Sequence, residues 1–168
     1  GDYCLPELVC SADAMKAALA VLDEALRQSS DGPVRTGSIV LATVHGDVHD
    51  IGKTIVGAMF TAAGYEVHDL GADVANEDIL KAVRERQPEF LGLSALLTTT
   101  MEEQRNVIRR LEQEGLRHSV KVLVGGAPAS RAWAESIGAD GYADNGIAAV
   151  KTAASLLPVT LGKEAAPC

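Results

Sequence analysis

Aromatic residues make up only 4% of the 168-residue chain, so few rings are available on which the bases of a single-stranded nucleic acid could stack. Basic residues are also in deficit, since 15 Lys and Arg stand against 23 Asp and Glu and leave a net charge of −8. A surface that binds a polyanion needs the opposite sign. Neither a nucleic acid nor an anionic membrane is therefore expected as a partner.

Cysteine is scarce as well: Cys4, Cys10 and Cys168 form an odd set with no C-x-x-C pair. A disulfide framework and a zinc site built from thiolates are therefore not expected. The expected location is the cytoplasm. Apolar runs such as 38–42 have the length of a strand and fall short of the roughly 20 residues of a membrane helix. The first four residues lack the basic and apolar regions of a signal peptide.

The composition suits a folded α/β domain, with 47% hydrophobic and 23% charged residues. From Ser38 onward, β-branched runs alternate with helical patterns, which is typical of a parallel sheet covered on both faces. The predicted strands are 38–44, 66–70, 90–95, 120–124 and 141–143, and the predicted helices are 53–63, 77–85, 101–114, 131–137 and 146–156. The expected fold is a five-stranded, parallel, doubly wound sheet, either flavodoxin-like or Rossmann-like.

Polar residues at three helix starts predict N-terminal caps. Asn76 precedes two acidic residues, whose charges suit the positive end of a helix dipole. Thr100 and Glu103 have the spacing of a capping box. Asn145 is placed to cap the last helix.

The segments on either side of this pattern are predicted to be smaller units. An apolar stripe indicates a helix over about 12–27, and a linker rich in Ser, Gly, Pro and Asp follows it over 28–37. The tail over 158–168 is expected to be mobile. The α/β domain is thus assigned to 38–157.

The densest polar motif follows the first predicted strand, at the sheet edge where ligands bind in open α/β folds. The loop over 45–53 contains two of the four histidines of the chain and two aspartates. In one interpretation, Asp47 or Asp50 only caps the next helix. In the other, His49 is a metal ligand through one ring nitrogen, while Asp47 fixes its tautomer through the other.

The other predicted strand ends offer no further metal ligands. They provide only hydroxyls and glycines: Ser94, Thr98, Thr99, Thr100, Gly125 and Gly126. Because zinc and iron sites normally need three or more protein ligands, a metal here would have to bring most of its own, as in a macrocycle. His45, His68 and His118 are expected to be structural or to face solvent.

Three motifs, in this order, resemble the signature of cobalamin-binding domains: Asp47-x-His49-x-x-Gly52, Ser94-x-Leu96 and Gly125-Gly126. The match covers about 6–157. The fuller strings over 46–53, 93–101, 124–128 and 138–143 are most similar to the small corrinoid proteins that serve methyltransferases, and the cobalamin domain of methionine synthase is similar too. The resemblance implies that 1–37 is the remnant of a helical cap domain with its linker.

The resemblance also implies a role for each matching residue. His49 would be the lower axial ligand to cobalt in place of the cofactor's own base, the base-off/His-on form, and Asp47 would hydrogen-bond it. Ser94 and Thr98 would contact the displaced nucleotide tail, and Thr100 would extend the Asp–His relay. The other implied cofactor contacts are Asp50, Ile51, Gly52, Leu96, Gly125 and Gly126, the last two letting the tail pass close to the backbone.

The function implied is methyl carriage, with no catalysis in the absence of partner proteins. A bound cobalamin would take a methyl group from a donor-specific methyltransferase and give it to an acceptor methyltransferase, with a reductive activase as a further partner. Methanol, methylamines, aryl methyl ethers and betaines are all open as donors, because donor specificity lies on the partners.

Three alternatives stand beside the methyl carrier. The cobalamin-binding subunit of an adenosylcobalamin-dependent mutase would share the D-x-H-x-x-G core but usually differs around it. A non-catalytic cobalamin sensor usually carries a DNA-binding domain, which the net charge does not favour. A phosphoacceptor receiver domain would need an Asp at the end of the third strand, where this chain has Ser94 and Ala95.

Overall fold

The computed structural model describes residues 36–157, together with Glu7, Cys10, Ser11, Ala14, Ala17 and Ala18 of the N-terminal segment. Over 36–157, five strands alternate with five helices. The strands are β1 Gly37–Thr43, β2 Tyr65–Asp69, β3 Phe90–Ser94, β4 Lys121–Gly125 and β5 Gly141–Tyr142, and the helices are α1 Ile51–Ala62, α2 Asn76–Arg86, α3 Thr98–Gln113, α4 Arg131–Ile137 and α5 Gly146–Leu156. None of the described helices combines the length and the apolar character needed to cross a membrane.

Each strand and helix predicted within 38–157 is present, with ends that differ from the prediction by at most three residues. The predicted tail over 158–168 lies outside the described residues. The predicted helix over 12–27 does so as well, apart from Ala14, Ala17 and Ala18, which are helical. The cap remnant over 1–37 therefore stays a prediction.

The strands form one parallel sheet in the order β2-β1-β3-β4-β5. This is the flavodoxin-like order, which confirms the predicted fold class and decides between its two variants. The chain winds from β1 outward to β2 and then returns to place β3 on the other side of β1. The carboxyl ends of β1 and β3 therefore flank the topological switch point, where the loops that follow them diverge and leave a crevice.

Successive residues of the strands point to opposite faces, and both faces are covered by helices. Val40 and Ala42 of β1 pack in the core beneath α2, α3 and α4, whereas Ile39 and Leu41 pack in the core beneath α1 and α5. Because each face of the sheet is buried, β1 is apolar along most of its length instead of alternating with polar residues.

Of the three predicted caps, only Asn145 is confirmed: its side-chain oxygen accepts from Ala148 N–H at 2.9 Å. Asn76 is the first residue of α2, not its cap, and its amide donates to Glu103 Oε2 at 2.8 Å. The capping box is wrong because Thr100 is not the residue before the helix: α3 begins at Thr98, and the Thr100 hydroxyl donates to the buried carboxylate of Asp47.

The ends of β3 and β4 come very close at Gly126. This glycine has φ +112°, and a Cβ built on it would lie 1.8 Å from the carbonyl oxygen of Ala95. The proximity of the protein's own backbone, at the edge where two strands end side by side, is therefore enough to require glycine here.

Replacing Gly126 with alanine should lower the free energy of unfolding by about 3 kcal/mol or more, because backbone strain and a backbone clash add. The matched control is Gly115→Ala, at φ +71° with no atom within 4 Å of the added Cβ, which should lose about 1–2 kcal/mol. Urea unfolding followed by circular dichroism compares the two variants. Equal losses would contradict the proposed clash at Gly126.

Candidate functional site

The loop between β1 and α1 folds back on itself immediately after the strand. Asp47 N–H donates to the carbonyl of Val44 at 3.1 Å, and Gly46 takes φ +81° within this tight turn. The turn directs the Asp47 side chain inward, where it is fully buried. His49 follows two residues later, with half of its side chain exposed at the sheet edge.

The Asp47 carboxylate joins the two loops that flank the switch point. Its Oδ2 accepts from the N–H of Leu96 at 2.6 Å, from the N–H of Leu97 at 3.3 Å and from the hydroxyl of Thr100 at 2.7 Å. The Thr100 hydroxyl also lies 3.0 Å from the carbonyl of Leu97, but its single proton goes to the stronger, charged acceptor. Asp47 thus ties the loop after β1 to the start of α3.

The other carboxylate oxygen of Asp47 holds His49. Oδ1 accepts from the backbone N–H of His49 at 3.1 Å and from its ring Nδ1 at 2.8 Å. Burial alone would raise the pKa of Asp47, but the hydrogen bonds from Thr100, Leu96 and His49 outweigh it and hold the pKa well below its usual range. Asp47 is therefore ionised at neutral pH and can only accept.

This pairing decides the tautomer of His49. Since an ionised carboxylate can only accept, Nδ1 carries the proton and Nε2 of the neutral imidazole keeps its lone pair. No hydrogen bond to Nε2 is found within the described part of the chain. A carboxylate bonded to Nδ1 and an Nε2 left without a hydrogen bond form the usual arrangement of a metal-ligating histidine. No group of three or more His, Cys, Asp or Glu side chains that could hold a metal ion occurs among the described residues.

Beside His49 opens a cavity of about 880 Å³, between α1, α5 and the sheet face that they cover. Its volume lies in the range of sites for small molecules and cofactors. Several of the residues that line it are small: Gly92, Ser94, Gly125, Gly146 and Ala149. The cavity therefore combines room for a large ligand with a histidine at its mouth.

Most residues predicted to contact a cofactor line this cavity: His49, Asp50, Ile51, Gly52, Ser94, Leu96, Gly125 and Gly126. Asp47 and Thr100 are buried behind His49 and do not line it. Thr98 does not line it either. It is exposed on the first turn of α3, because the helix starts there and turns its side chain outward.

Two groups of site residues escaped the sequence analysis. The first lines the cavity from within the elements and includes Val56, Phe60 and Ala149, whose apolar character gave no signal beyond that of core residues. The second is Asp73, in the loop after β2. It has φ +52°, accepts from the N–H of Gly46 at 2.7 Å and donates its own N–H to the carbonyl of Asp47 at 2.8 Å.

The remaining histidines lie away from the cavity. His45 is mostly exposed, with Nδ1 2.9 Å from Asp73 Oδ1, and His118 is exposed at the opposite edge. His68 lies on β2, with its Nδ1 3.2 Å from an Arg86 guanidinium nitrogen. The expectation that these three are structural or face solvent agrees with this placement.

A family model described as the B12 binding domain matches residues 37–151. The chain belongs to this family. A dimethylamine corrinoid protein of Methanosarcina barkeri is 48% identical over 157 residues, which make up 94% of this chain and 73% of the relative. The cofactor of this B12-binding domain is therefore a corrinoid, and the chain is one of the corrinoid proteins related to methyltransferase systems.

Solved structures agree with this assignment. A cobalamin-binding protein from Desulfitobacterium hafniense has a TM-score of 0.75 at 37% identity, covering 94% of this chain and 73% of that one. A chain of the methanol:cobalamin methyltransferase complex from Methanosarcina barkeri has a TM-score of 0.71 at 35% identity, covering 89% of this chain and 56% of that one. Both likenesses extend over most of this chain.

Replacing Thr100 with valine should remove one hydrogen bond to a buried charge, and lower the free energy of unfolding by about 2 kcal/mol at pH 7. The pKa of Asp47 is depressed on folding, so its ionised form stabilises the fold fully above its unfolded pKa of about 4, and less as the pH falls below that value. Because Asp47 stays ionised in the folded state far below pH 4, the loss caused by Thr100→Val should persist from pH 7 to pH 3, while the stability of both proteins falls together below pH 4. Urea unfolding across this pH range measures it.

The matched control is Thr99→Val, because Thr99 is the exposed neighbour of Thr100 in the first turn of α3. This change should shift stability by less than about 0.5 kcal/mol at every pH. A loss from Thr100→Val that has already vanished at pH 4 would contradict the bond to an ionised Asp47.

Proposed function

We propose that this chain is a corrinoid methyl carrier in which His49 Nε2 is the lower axial ligand to cobalt, in place of the cofactor's own base. The observation that supports the proposal is the His49 side chain itself. Asp47 Oδ1 holds its Nδ1 at 2.8 Å, no hydrogen bond to its Nε2 is found among the described residues, and His49 lines a cavity of about 880 Å³. The lower base of the cofactor, once displaced from cobalt, would need a binding site of its own, and the cavity beside His49 has the volume for it.

The surface around the cavity mouth suits the flat face of a macrocycle. Four large apolar side chains are exposed in the described part of the chain, and all four lie at this edge: Val48, Leu96, Leu97 and Ile147. They stand on the loops after β1 and β3 and at the start of α5. Apolar side chains gathered on one side of a soluble domain mark a binding surface. Here they favour the interpretation that a corrin ring would bind over His49.

When bound, the corrinoid supplies a cobalt centre that accepts a methyl group and gives it up again. The chain's own residues bind and orient it. His49 presents Nε2, and Asp47 keeps the ring in the tautomer and direction that ligation needs. The donors on Asp47 Oδ2 prevent that carboxylate from turning or taking a proton. The side chains of Ser94 and Asp50 line the cavity entrance and offer polar contacts to the tail of the cofactor.

The partners of the carrier are proposals as well. A methyltransferase partner is supported by the similarity to a chain of a methanol:cobalamin methyltransferase complex. That there are two of them, one specific for the donor and one for the acceptor, follows from the proposed carrier role. A reductive activase and the cytoplasmic location stay predictions. Because the relatives are corrinoid proteins, they favour the carrier over a mutase subunit or a sensor.

The axial ligand can be tested by electron paramagnetic resonance of the protein reconstituted with cob(II)alamin. Protein grown with 15N-histidine should show the nitrogen splitting change from the triplet of 14N to the doublet of 15N. His49→Ala should lose the histidine splitting, because no other described histidine lies at the cavity mouth.

The control variant is His45→Ala, which removes a histidine four residues away that contacts only the loop at Asp73. It should keep the 15N doublet. A splitting that 15N-histidine labelling does not alter would mean that the cofactor's own base remains on cobalt, and the proposed axial role of His49 would be wrong.

The carrier role can be tested separately, with the reconstituted wild-type chain. Loaded with methylcobalamin, it should lose the methyl group at a rate that depends on added acceptor methyltransferase and its acceptor, as seen in the absorbance spectrum. Stable retention of adenosylcobalamin together with no demethylation would favour the mutase subunit instead.

A further inference from the structure

The cavity changes in chemical character with depth, and the strand register shows how. Ser94 and Gly125 are paired at the carboxyl ends of β3 and β4. Two residues further in, Leu41, Gly92 and Leu123 form the next row, about 7 Å below the mouth. Ile39 lies one row deeper again. The cavity therefore runs from the loop edge down the face of the sheet.

The polar side chains that line the cavity are concentrated at its mouth. His49, Asp50, Ser94, Asp144 and Asn145 all lie at strand ends or helix starts. Tyr142 of β5 lines the cavity as well, but it packs against the core cluster on the opposite face of the sheet. Lys53 also lines the cavity, but its ammonium group is paired with Asp69 at the end of β2 and its side chain is buried. A ligand group that lies deeper than these strand ends and helix starts is therefore out of reach of the polar side chains.

Below that level, the walls are carbon. The inner part of the cavity is formed by Ile39, Leu41, Val56, Phe60, Leu123 and Ala149. The backbone groups of β1 and β3 are bonded to strands on both sides, and those of α1 are bonded within the helix. The Tyr65 hydroxyl is buried, but Tyr65 packs edge-on against Phe60 and does not line the cavity. Among the described residues, the inner part therefore presents no free side-chain donor or acceptor.

A benzimidazole with methyl substituents would lose little in such a place, because the ring nitrogen displaced from cobalt is the one polar atom that it leaves unpaired. A purine brings an exocyclic amine and additional ring nitrogens, each of which gives up hydrogen bonds to water. Every polar group buried without a partner weakens binding by roughly five- to a hundredfold. The inner walls thus discriminate between lower bases by polarity.

We propose that the inner part of the cavity makes this chain selective for corrinoids whose lower base is an alkylated benzimidazole, over corrinoids whose lower base is adenine. The inference rests on the proposed function, because only a base displaced from cobalt by His49 would enter the cavity. Its specificity-determining residues are Leu41, Phe60 and Leu123, with Val56 opposite them on α1.

The test compares three corrinoids on the same apoprotein: cobalamin, the analogue with adenine as lower base, and cobinamide, which has no base. Dissociation constants come from the change in corrinoid absorbance and from ultrafiltration. Cobalamin should bind at least tenfold more tightly than the adenine analogue, and cobinamide should also bind more weakly than cobalamin. Equal affinity for cobalamin and the adenine analogue would overturn the selectivity, and so would tighter binding of cobinamide than of cobalamin.

A pair of valines tests whether the cavity wall is responsible. Val56 and Val67 are both partly buried on the same apolar face, but only Val56 lines the cavity. Val56→Thr keeps the shape of the side chain and adds a hydroxyl. It should reduce the ratio of the affinities for cobalamin and for the adenine analogue several-fold, whereas Val67→Thr should leave this ratio unchanged. Leu123→Gln, checked for folding by circular dichroism, should narrow it further. An unchanged preference in both Val56→Thr and Leu123→Gln would overturn the role of the inner walls.

The 15N-histidine signal separates this inference from the proposed function. A histidine doublet with both base-containing corrinoids, together with equal affinities, would overturn the selectivity and leave the axial role of His49 intact. Loss of the histidine signal with cobalamin would overturn the proposed function and the selectivity with it.

Discussion

A single buried carboxylate organises the binding edge of this domain. Asp47 is a charge removed from water, which a protein tolerates only when hydrogen bonds replace the lost hydration. Here the donors come from two loops on either side of the switch point, at Leu96, Thr100 and His49. The requirement to satisfy one charge therefore holds the two loops together. It also leaves His49 with one defined tautomer.

The topology explains why this arrangement stands beside an empty volume. In the order β2-β1-β3-β4-β5, the helices α1 and α5 cover the same face of the sheet, and both start at its carboxyl edge. The glycines that line the cavity allow close packing around it: a Cβ on Gly92 would lie 2.6 Å from a Leu41 methyl carbon, and one on Gly146 would lie 2.4 Å from the Met59 sulfur. The histidine and the cavity are thus two products of one architecture: the loop after β1 supplies the ligand, and the helix that follows supplies a wall.

The sequence analysis was accurate where a local pattern carried the information. The alternation of apolar and helical patterns predicted every strand and helix of the α/β domain, and the spacing of Asp47 and His49 predicted their pairing. The capping box at Thr100 was wrong, because the Thr100 hydroxyl bonds the Asp47 carboxylate 53 residues away, and a charged acceptor outcompetes a backbone group. This bond agrees with the other role given to Thr100, the extension of the Asp–His relay that the resemblance implied. Gly126 illustrates a third case: it lines the cavity as predicted, but the backbone of Ala95 already requires a glycine there.

By itself, the sequence determined the α/β class, the position of the polar loop after the first strand, and the resemblance to cobalamin-binding domains. All three depend on residue types and their spacing along the chain. Only the tertiary structure decided the strand order, the donors on Asp47 Oδ2, and the apolar inner walls of the cavity. The reason is physical: a carbon-lined cavity and a compensated buried charge are properties of groups distant in sequence, and in the sequence the residues that form them are indistinguishable from ordinary core and capping residues.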